Sequence, residues 1–221
     1  MSQELFQEIE ELRARFIKYT RKAFCMLPKL DKPRILDIGC GSGAPTIELA
    51  RLSGGEIIGI DTDQSSLDQL NRKIDEEGFS NRAKAVKLSI FDMDFPDESL
   101  DVIWSEGSIP AIGFEKGLNE WRRLLKPNGF LVIHDEVQNM LDRLSRMPSL
   151  GYRLVGYFSL PEDAWWTEFY RPLERRIDDL RGKCGNDPEA LKLLRKFQNE
   201  IDMVKGNPRM FASAFCIVQK S

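Results

Sequence analysis

An apolar run, Arg34-Ile35-Leu36-Asp37-Ile38, passes without a spacer into Gly39-Cys40-Gly41-Ser42-Gly43. Glycines at alternate positions permit a tight turn and let the backbone come close to a ligand. Pro45 follows where the first turn of a helix tolerates it. Ile47, Leu49, Ala50 and Leu52 continue that helix until Gly54-Gly55 stop it. A strand that turns at once into a helix is the first half of a crossover. Crossovers of this length join parallel strands, so this short stretch already commits the chain to a parallel sheet.

The alternation repeats downstream. Glu56–Asp61, Ala85–Leu88, Leu100–Trp104 and Phe130–His134 read as further strands. Helices are expected over Ser65–Glu77, stopped by Gly78, and Glu115–Leu125, ended by Lys126-Pro127-Asn128-Gly129. Right-handed crossovers then give an α/β, doubly wound sheet with helices on both faces. Tyr152–Leu160 and Phe211–Gln219 complete seven strands, mostly parallel. About 50 mostly helical residues are inserted between the last two, Pro161–Gly182 and Glu189–Lys205 on either side of a break at Gly185-Asn186-Asp187-Pro188, with Asp187-Pro188 as N-cap and first helical residue. Residues 2–27 read as one amphipathic helix through Leu5, Ile9, Leu12, Phe16, Ala23 and Leu27.

The chain has 221 residues, 42% hydrophobic and 30% charged, with a net charge of −3. One domain with an ordinary core is expected. The mild acidity argues against a nucleic-acid partner, no apolar run reaches membrane-spanning length, and the acidic N-terminus does not read as a secretory signal. Cys25, Cys40, Cys184 and Cys216 form no CxxC pair, so neither a disulfide framework nor a metal site is expected, and a cytoplasmic protein, monomer or homodimer, is.

Two cofactor classes compete for the glycine loop. Gly39-x-Gly41-x-x-Ala44 fits the loose dinucleotide fingerprint, which would take NAD in an oxidoreductase. Asp37 at the strand end, however, disfavours a pyrophosphate and suits a ligand carrying an ammonium group.

With these residues in place, the chain resembles class I S-adenosylmethionine (SAM)-dependent methyltransferases, small-molecule enzymes of the type 11/25 kind, over about residues 20–135. ILDIGCGSG is similar to that family's first motif and IIGIDTD to its second. Pro96–Asp101 and Leu124–Gly129 resemble the family's leads into strands four and five. The resemblance implies a Rossmann-like fold, S-adenosyl-L-methionine as cofactor, and in-line methyl transfer to a small-molecule acceptor. It implies that Asp37, Gly39, Cys40, Gly41 and Gly43 hold the methionine part. Asp61 and Thr62 would hold the ribose, the Ser105 backbone the amino group, and Tyr19 and Thr20 the carboxylate end. Adenine falls to Ser89 and Ile90, with Asp92 as the alternative, because Ser89 stands where the family usually has Asp. It also implies a layout of one domain: a helical lid over 1–30, a cofactor-binding core over 31–160, a helical cap insertion over 161–208 and a last strand over 209–221.

Two residues at strand ends are candidates for the acceptor's chemistry. Glu106 follows the fourth strand among apolar residues, where burial would raise its pKa and make it a base. His134, the single histidine, ends the fifth and is the other candidate. Trp165, Trp166 and Tyr170 either wall an acceptor pocket or seat the helical insertion. A SAM-binding sensor without catalysis is the remaining alternative.

Overall fold

The central strand β1 (Arg34–Ile38) is flanked by β2 (Glu56–Asp61) and β4 (Leu100–Glu106), both parallel to it. β3 (Ala83–Lys87) pairs in parallel with β2, and β5 (Leu125–Glu136) with β4. With β6 (Tyr152–Ser159) and β7 (Ser213–Lys220) the order is β3-β2-β1-β4-β5-β7-β6. β7 runs antiparallel to β5: Lys220 Nζ donates to the Leu125 carbonyl at 2.6 Å, while Phe215 stacks on His134 near the other end. This computed structural model describes residues 3–138, 140–183 and 185–221, with the side chains of 3–6 and 183 outside the description. Leu5 and Cys184 therefore lie outside the described side chains.

The sheet is the expected seven-stranded, doubly wound one. From β1 the chain winds outward one way through β2 and β3, then returns to the other side for β4 and β5. The loops after β1 and β4 thus diverge at the switch point, where open α/β sheets form their crevice. Ile35, Leu36, Ile38, Ile57, Ile58, Ile60, Val102, Ile103 and Trp104 are almost fully buried. Burial on both faces is why these strands read as continuous apolar runs rather than alternating ones.

The helices are α1 (Gln3–Ala14), α2 (Ile17–Cys25), α3 (Ala44–Ser53), α4 (Gln64–Glu76), α5 (Ile109–Ile112), α6 (Phe114–Arg122), α7 (Met140–Arg146), α8 (Arg171–Glu174), α9 (Ile177–Lys183) and α10 (Pro188–Gly206). The single N-terminal helix expected from periodicity is two. Arg15 N bonds to Leu12 O and Phe16 N to Arg13 O, tighter turns that end α1. One such turn hardly alters the spacing of apolar residues, so the pattern conceals it. β4 extends two residues beyond the predicted Trp104, which places Ser105 and Glu106 on the strand itself.

The chain divides into two compact units. Tyr19–Phe158 and Ala214–Ser221 build the sheet unit; the residues up to Lys18 and Ser159–Ser213 build a helical unit. Within the helical unit, Trp165 stacks on Phe16 at 4.3 Å and donates from Nε1 to Ser213 Oγ at 3.1 Å. Tyr170 stacks on Phe211 at 5.5 Å and donates to Glu200 at 3.1 Å. Trp165 and Tyr170 are thus part of their own unit's packing. α10 starts as the sequence implies, with Asp187 accepting from Glu189 N and Ala190 N at 3.0 and 3.2 Å.

Candidate functional site

The three loop glycines have different physical reasons. All adopt left-handed φ: +70° at Gly39, +51° at Gly41 and +83° at Gly43. A Cβ on Gly39 would stand 2.5 Å from Ser108 Cβ, and one on Gly43 would stand 2.1 Å from Leu70 Cδ1. A Cβ on Gly41 would meet nothing within 4 Å. The outer two allow close packing of the loop, and the middle one faces open space.

Four of the loop's amides are turned onto the protein rather than outward. Gly39 N and Cys40 N both donate to Ile60 O at 2.9 and 3.0 Å, and Gly43 N to Cys40 O at 2.9 Å. Gly41 N donates to Asp61 Oδ2 at 2.9 Å. Phosphate-binding loops direct such donors at the ligand; here four of them are committed to the protein. The Cys40 side chain is buried against Gly59, and burial pushes its thiol pKa up. Cys40 thus serves the loop's own packing, its amide bonded to Ile60 O and its carbonyl to Gly43 N.

Carboxylates gather where a phosphate loop would have donors. Asp37 is 2% exposed and accepts from Thr46 Oγ1 in the first turn of α3 at 2.5 Å. Burial, together with the nearby charges of Glu106 and Asp61, raises its pKa to about 7, against the opposing Thr46 bond. Asp61, at the end of β2, is oriented by one amide on each oxygen, Gly41 N on Oδ2 and Asp63 N on Oδ1, both at 2.9 Å. Thr62 beside it is exposed.

At the end of β4, Glu106 Oε1 accepts from Trp104 Nε1 at 2.7 Å and from Thr20 Oγ1 at 2.9 Å. Burial raises its pKa to about 7 despite these two bonds. His134 lies 3.9 Å from the other oxygen and stacks on Phe215 with ring centroids 4.4 Å apart. Burial lowers its pKa to about 4, so its imidazole is neutral near physiological pH and is the weaker base of the two. Ser105 is fully buried, and its Oγ pairs with Ser108 Oγ at 2.7 Å, which bonds in turn to Ile38 O at 2.6 Å. This relay ties the ends of β4 and β1 together.

Beyond β3, Ser89 closes a tight turn: its Oγ accepts from Phe91 N at 3.2 Å and its carbonyl from Asp92 N at 3.0 Å. Ser89 and Ile90 are half-buried, whereas Asp92 is exposed. Tyr19 is half-buried on α2. Thr46, Ser108, Trp104 and the Thr20–Glu106 bond escaped sequence reasoning. They act through pairs far apart in the chain, which no local pattern registers.

The raised carboxyls make stability depend on pH. In the folded state Asp37 and Glu106 hold their protons more tightly than ordinary carboxyls do. Their contribution is complete below the ordinary range near 4 and is lost as pH rises through about 7. The ligand-free protein is expected to melt at a lower temperature at pH 8 than at pH 5.5. Asp37→Asn should flatten that dependence; equal slopes in scanning calorimetry would refute the assignment.

Residues 35–129 match a family described as "Methyltransferase domain". An uncharacterized protein of Haemophilus influenzae is 27% identical over 154 residues, covering 68% of this chain and 61% of its own length. Sterol 24-C-methyltransferase of Yarrowia lipolytica is 32% identical over 105 residues, covering 47% of this chain and 28% of that protein. The chain thus spans less than two thirds of either relative. Among solved structures, a SAM-dependent methyltransferase from Geobacter sulfurreducens in complex with S-adenosyl-L-homocysteine superposes with a TM-score of 0.74. It is 18% identical, with 92% of this chain and 91% of that chain covered. No helix among the described residues is long and apolar enough to cross a membrane, and no cluster of metal-ligating side chains occurs among them.

Proposed function

We propose that this chain, whose residues 35–129 match the methyltransferase-domain family, moves a methyl group from S-adenosylmethionine to a small-molecule acceptor. The observation that carries the reading is the pairing of a glycine loop with committed amides and three carboxylates, Asp37, Asp61 and Glu106, around one crevice. Such a site repels the pyrophosphate of NAD. It suits a ligand with an ammonium and a sulfonium, whose positive charges relieve the repulsion among the acids.

In this reading Asp37 and the Ser105 backbone take the amino group, and Tyr19 the carboxylate end. Gly39, Cys40, Gly41 and Gly43 line the methionine part through their backbone. Asp61, already aimed by two amides, accepts the ribose hydroxyls beside Thr62. Ser89 and the Ile90 backbone take adenine, a role for which exposed Asp92 is less well placed. When bound, S-adenosylmethionine supplies an activated methyl group. The protein's part is to orient the acceptor and exclude water, with Glu106 holding the acceptor's proton where one must leave. His134, neutral by burial, can serve there as a hydrogen-bonding partner. Residues 161–208 are read as a cap insertion. The setting is taken as cytoplasmic, consistent with unpaired Cys25, Cys40 and Cys216, and the partner is a small molecule rather than nucleic acid or membrane.

Titration calorimetry with SAM, S-adenosylhomocysteine and NAD tests the cofactor. The first two should bind and NAD should not; NAD binding without SAM binding would sink the reading. Because a cation draws Asp37 and Glu106 toward their ionised forms, SAM binding near pH 7 should release protons. Heats measured in buffers of different ionisation enthalpy should therefore differ. Transfer of labelled methyl from SAM into a small-molecule extract tests catalysis, and tight SAM binding without transfer would favour a sensor.

A further inference from the structure

The two oxygens of Glu106 sit in different settings. Oε1 accepts from Trp104 Nε1 at 2.7 Å and from Thr20 Oγ1 at 2.9 Å. Oε2 faces His134 Nδ1 at 3.9 Å, beyond hydrogen-bond reach. We propose that Thr20 is a positioning residue: its hydroxyl pins Glu106 through Oε1 and so presents Oε2 as the oxygen that takes the acceptor's proton. The consequence for turnover rests on the methyltransferase reading; the hydrogen-bond geometry does not.

The terminal torsion of a glutamate is broad and nearly two-fold, so one donor leaves the carboxylate free to swing or exchange its oxygens. A second donor from a different direction stops that. Thr20 supplies it from α2, whereas Trp104 lies on the same strand as Glu106. Thr20 is fully buried, and its hydroxyl reaches the glutamate, whereas many helical threonines bond back to their own helix.

α2 is itself fixed relative to the glycine loop. Arg21 Nε donates to Glu48 Oε1 at 2.5 Å, and its guanidinium reaches Oε2 at 3.3 Å. Glu48 is 2% exposed and lies on α3, the helix that leaves the loop. Lys22 sits over the Phe158 ring at 4.1 Å. Arg21 and Lys22, the two cations that follow Thr20 on α2, are therefore directed at Glu48 and Phe158. The titratable groups that face Glu106 are His134 from β5 and Asp37 from β1.

The proton transfer balances as follows. The X–H bond of the acceptor breaks and its proton passes to Oε2, leaving Glu106 neutral. The X electron pair forms the bond to the methyl carbon, and the carbon–sulfur pair departs with sulfur, which becomes a neutral thioether. A donor on Oε1 favours the ionised carboxylate that must receive the proton.

The test is an infrared titration of the carboxyl band in the ligand-free protein, with Glu106→Gln and Asp37→Asn assigning the two overlapping acids. Thr20→Val keeps the shape and removes the hydroxyl. It should raise the Glu106 midpoint by about one pH unit, while Thr20→Ser should stay near the wild-type value. The acid limb of the kcat profile should move with the infrared midpoint. If Thr20→Val fails to fold, Thr20→Cys, a weaker donor, should give an intermediate midpoint. An unmoved midpoint in either folded variant overturns the proposal, even if methyl transfer is found. A shifted midpoint without any methyl transfer supports the role of Thr20 and counts against the methyltransferase reading alone.

Discussion

Asp61→Ala should weaken S-adenosylhomocysteine binding by about 3 kcal/mol, a little over a hundred-fold in Kd. The reading assigns Asp61 two hydrogen bonds from ribose hydroxyls to a charged acceptor, each of which contributes about 1.5 kcal/mol or more. The carboxylate is already oriented without ligand, because Gly41 N and Asp63 N hold one oxygen each at 2.9 Å. Little ordering remains to be done when ribose arrives, so nearly the whole interaction is expressed as affinity. Asp61→Asn keeps the shape and loses the charge, and should fall between wild type and alanine. Calorimetry on all three reads the series directly. An alanine variant that binds as well as wild type would reject the ribose role.

Gly39→Ala should be strongly destabilising. Its φ of +70° costs an L-residue about 1–2 kcal/mol. The added Cβ must also displace Ser108, whose Cβ would be 2.5 Å away. Overpacking of that kind adds about 1–3 kcal/mol. A loss of about 3 kcal/mol, or about 10 °C in Tm for a chain of this size, is expected. Ser108 also carries the bonds to Ser105 and Ile38, so cofactor affinity should fall with it. Gly41→Ala is the control: with open space and only a φ of +51° to resist it, about 1 kcal/mol is expected. Combining Gly39→Ala with Ser108→Gly should recover part of the loss, since the two changes share one contact. Equal destabilisation by the two single variants would show that packing against Ser108 does not matter.

Much of the fold was legible because its signals are local. Buried parallel strands leave unbroken apolar runs, glycines mark tight turns, and Asp187-Pro188 announces a helix start. The break between α1 and α2 was not legible, because one tighter turn preserves the apolar spacing. Nor was the reach of β4 to Glu106, since a polar strand end looks like a loop. Within the candidate site, Asp37, Asp61 and Glu106 were readable as acids at strand ends. The rise at Glu106 to about 7 was readable from its apolar neighbours, but the rise at Asp37 to about 7 and the fall at His134 to about 4 were not. The ordinary value of a histidine gives no hint of that reversal.

From its sequence alone, this protein's layered α/β architecture and the position of its crevice were determined. Both follow from the order of strands, turns and helices along the chain and from the handedness of crossovers. Tertiary structure decided which backbone amides remain available, which carboxylates stand close enough to repel one another, and which oxygen of Glu106 is held. Those depend on distances between residues remote in sequence, such as Gly41 with Asp61 and Thr20 with Glu106. Electrostatic and hydrogen-bond energies change steeply over an ångström and with burial, and neither quantity is written in the order of the residues.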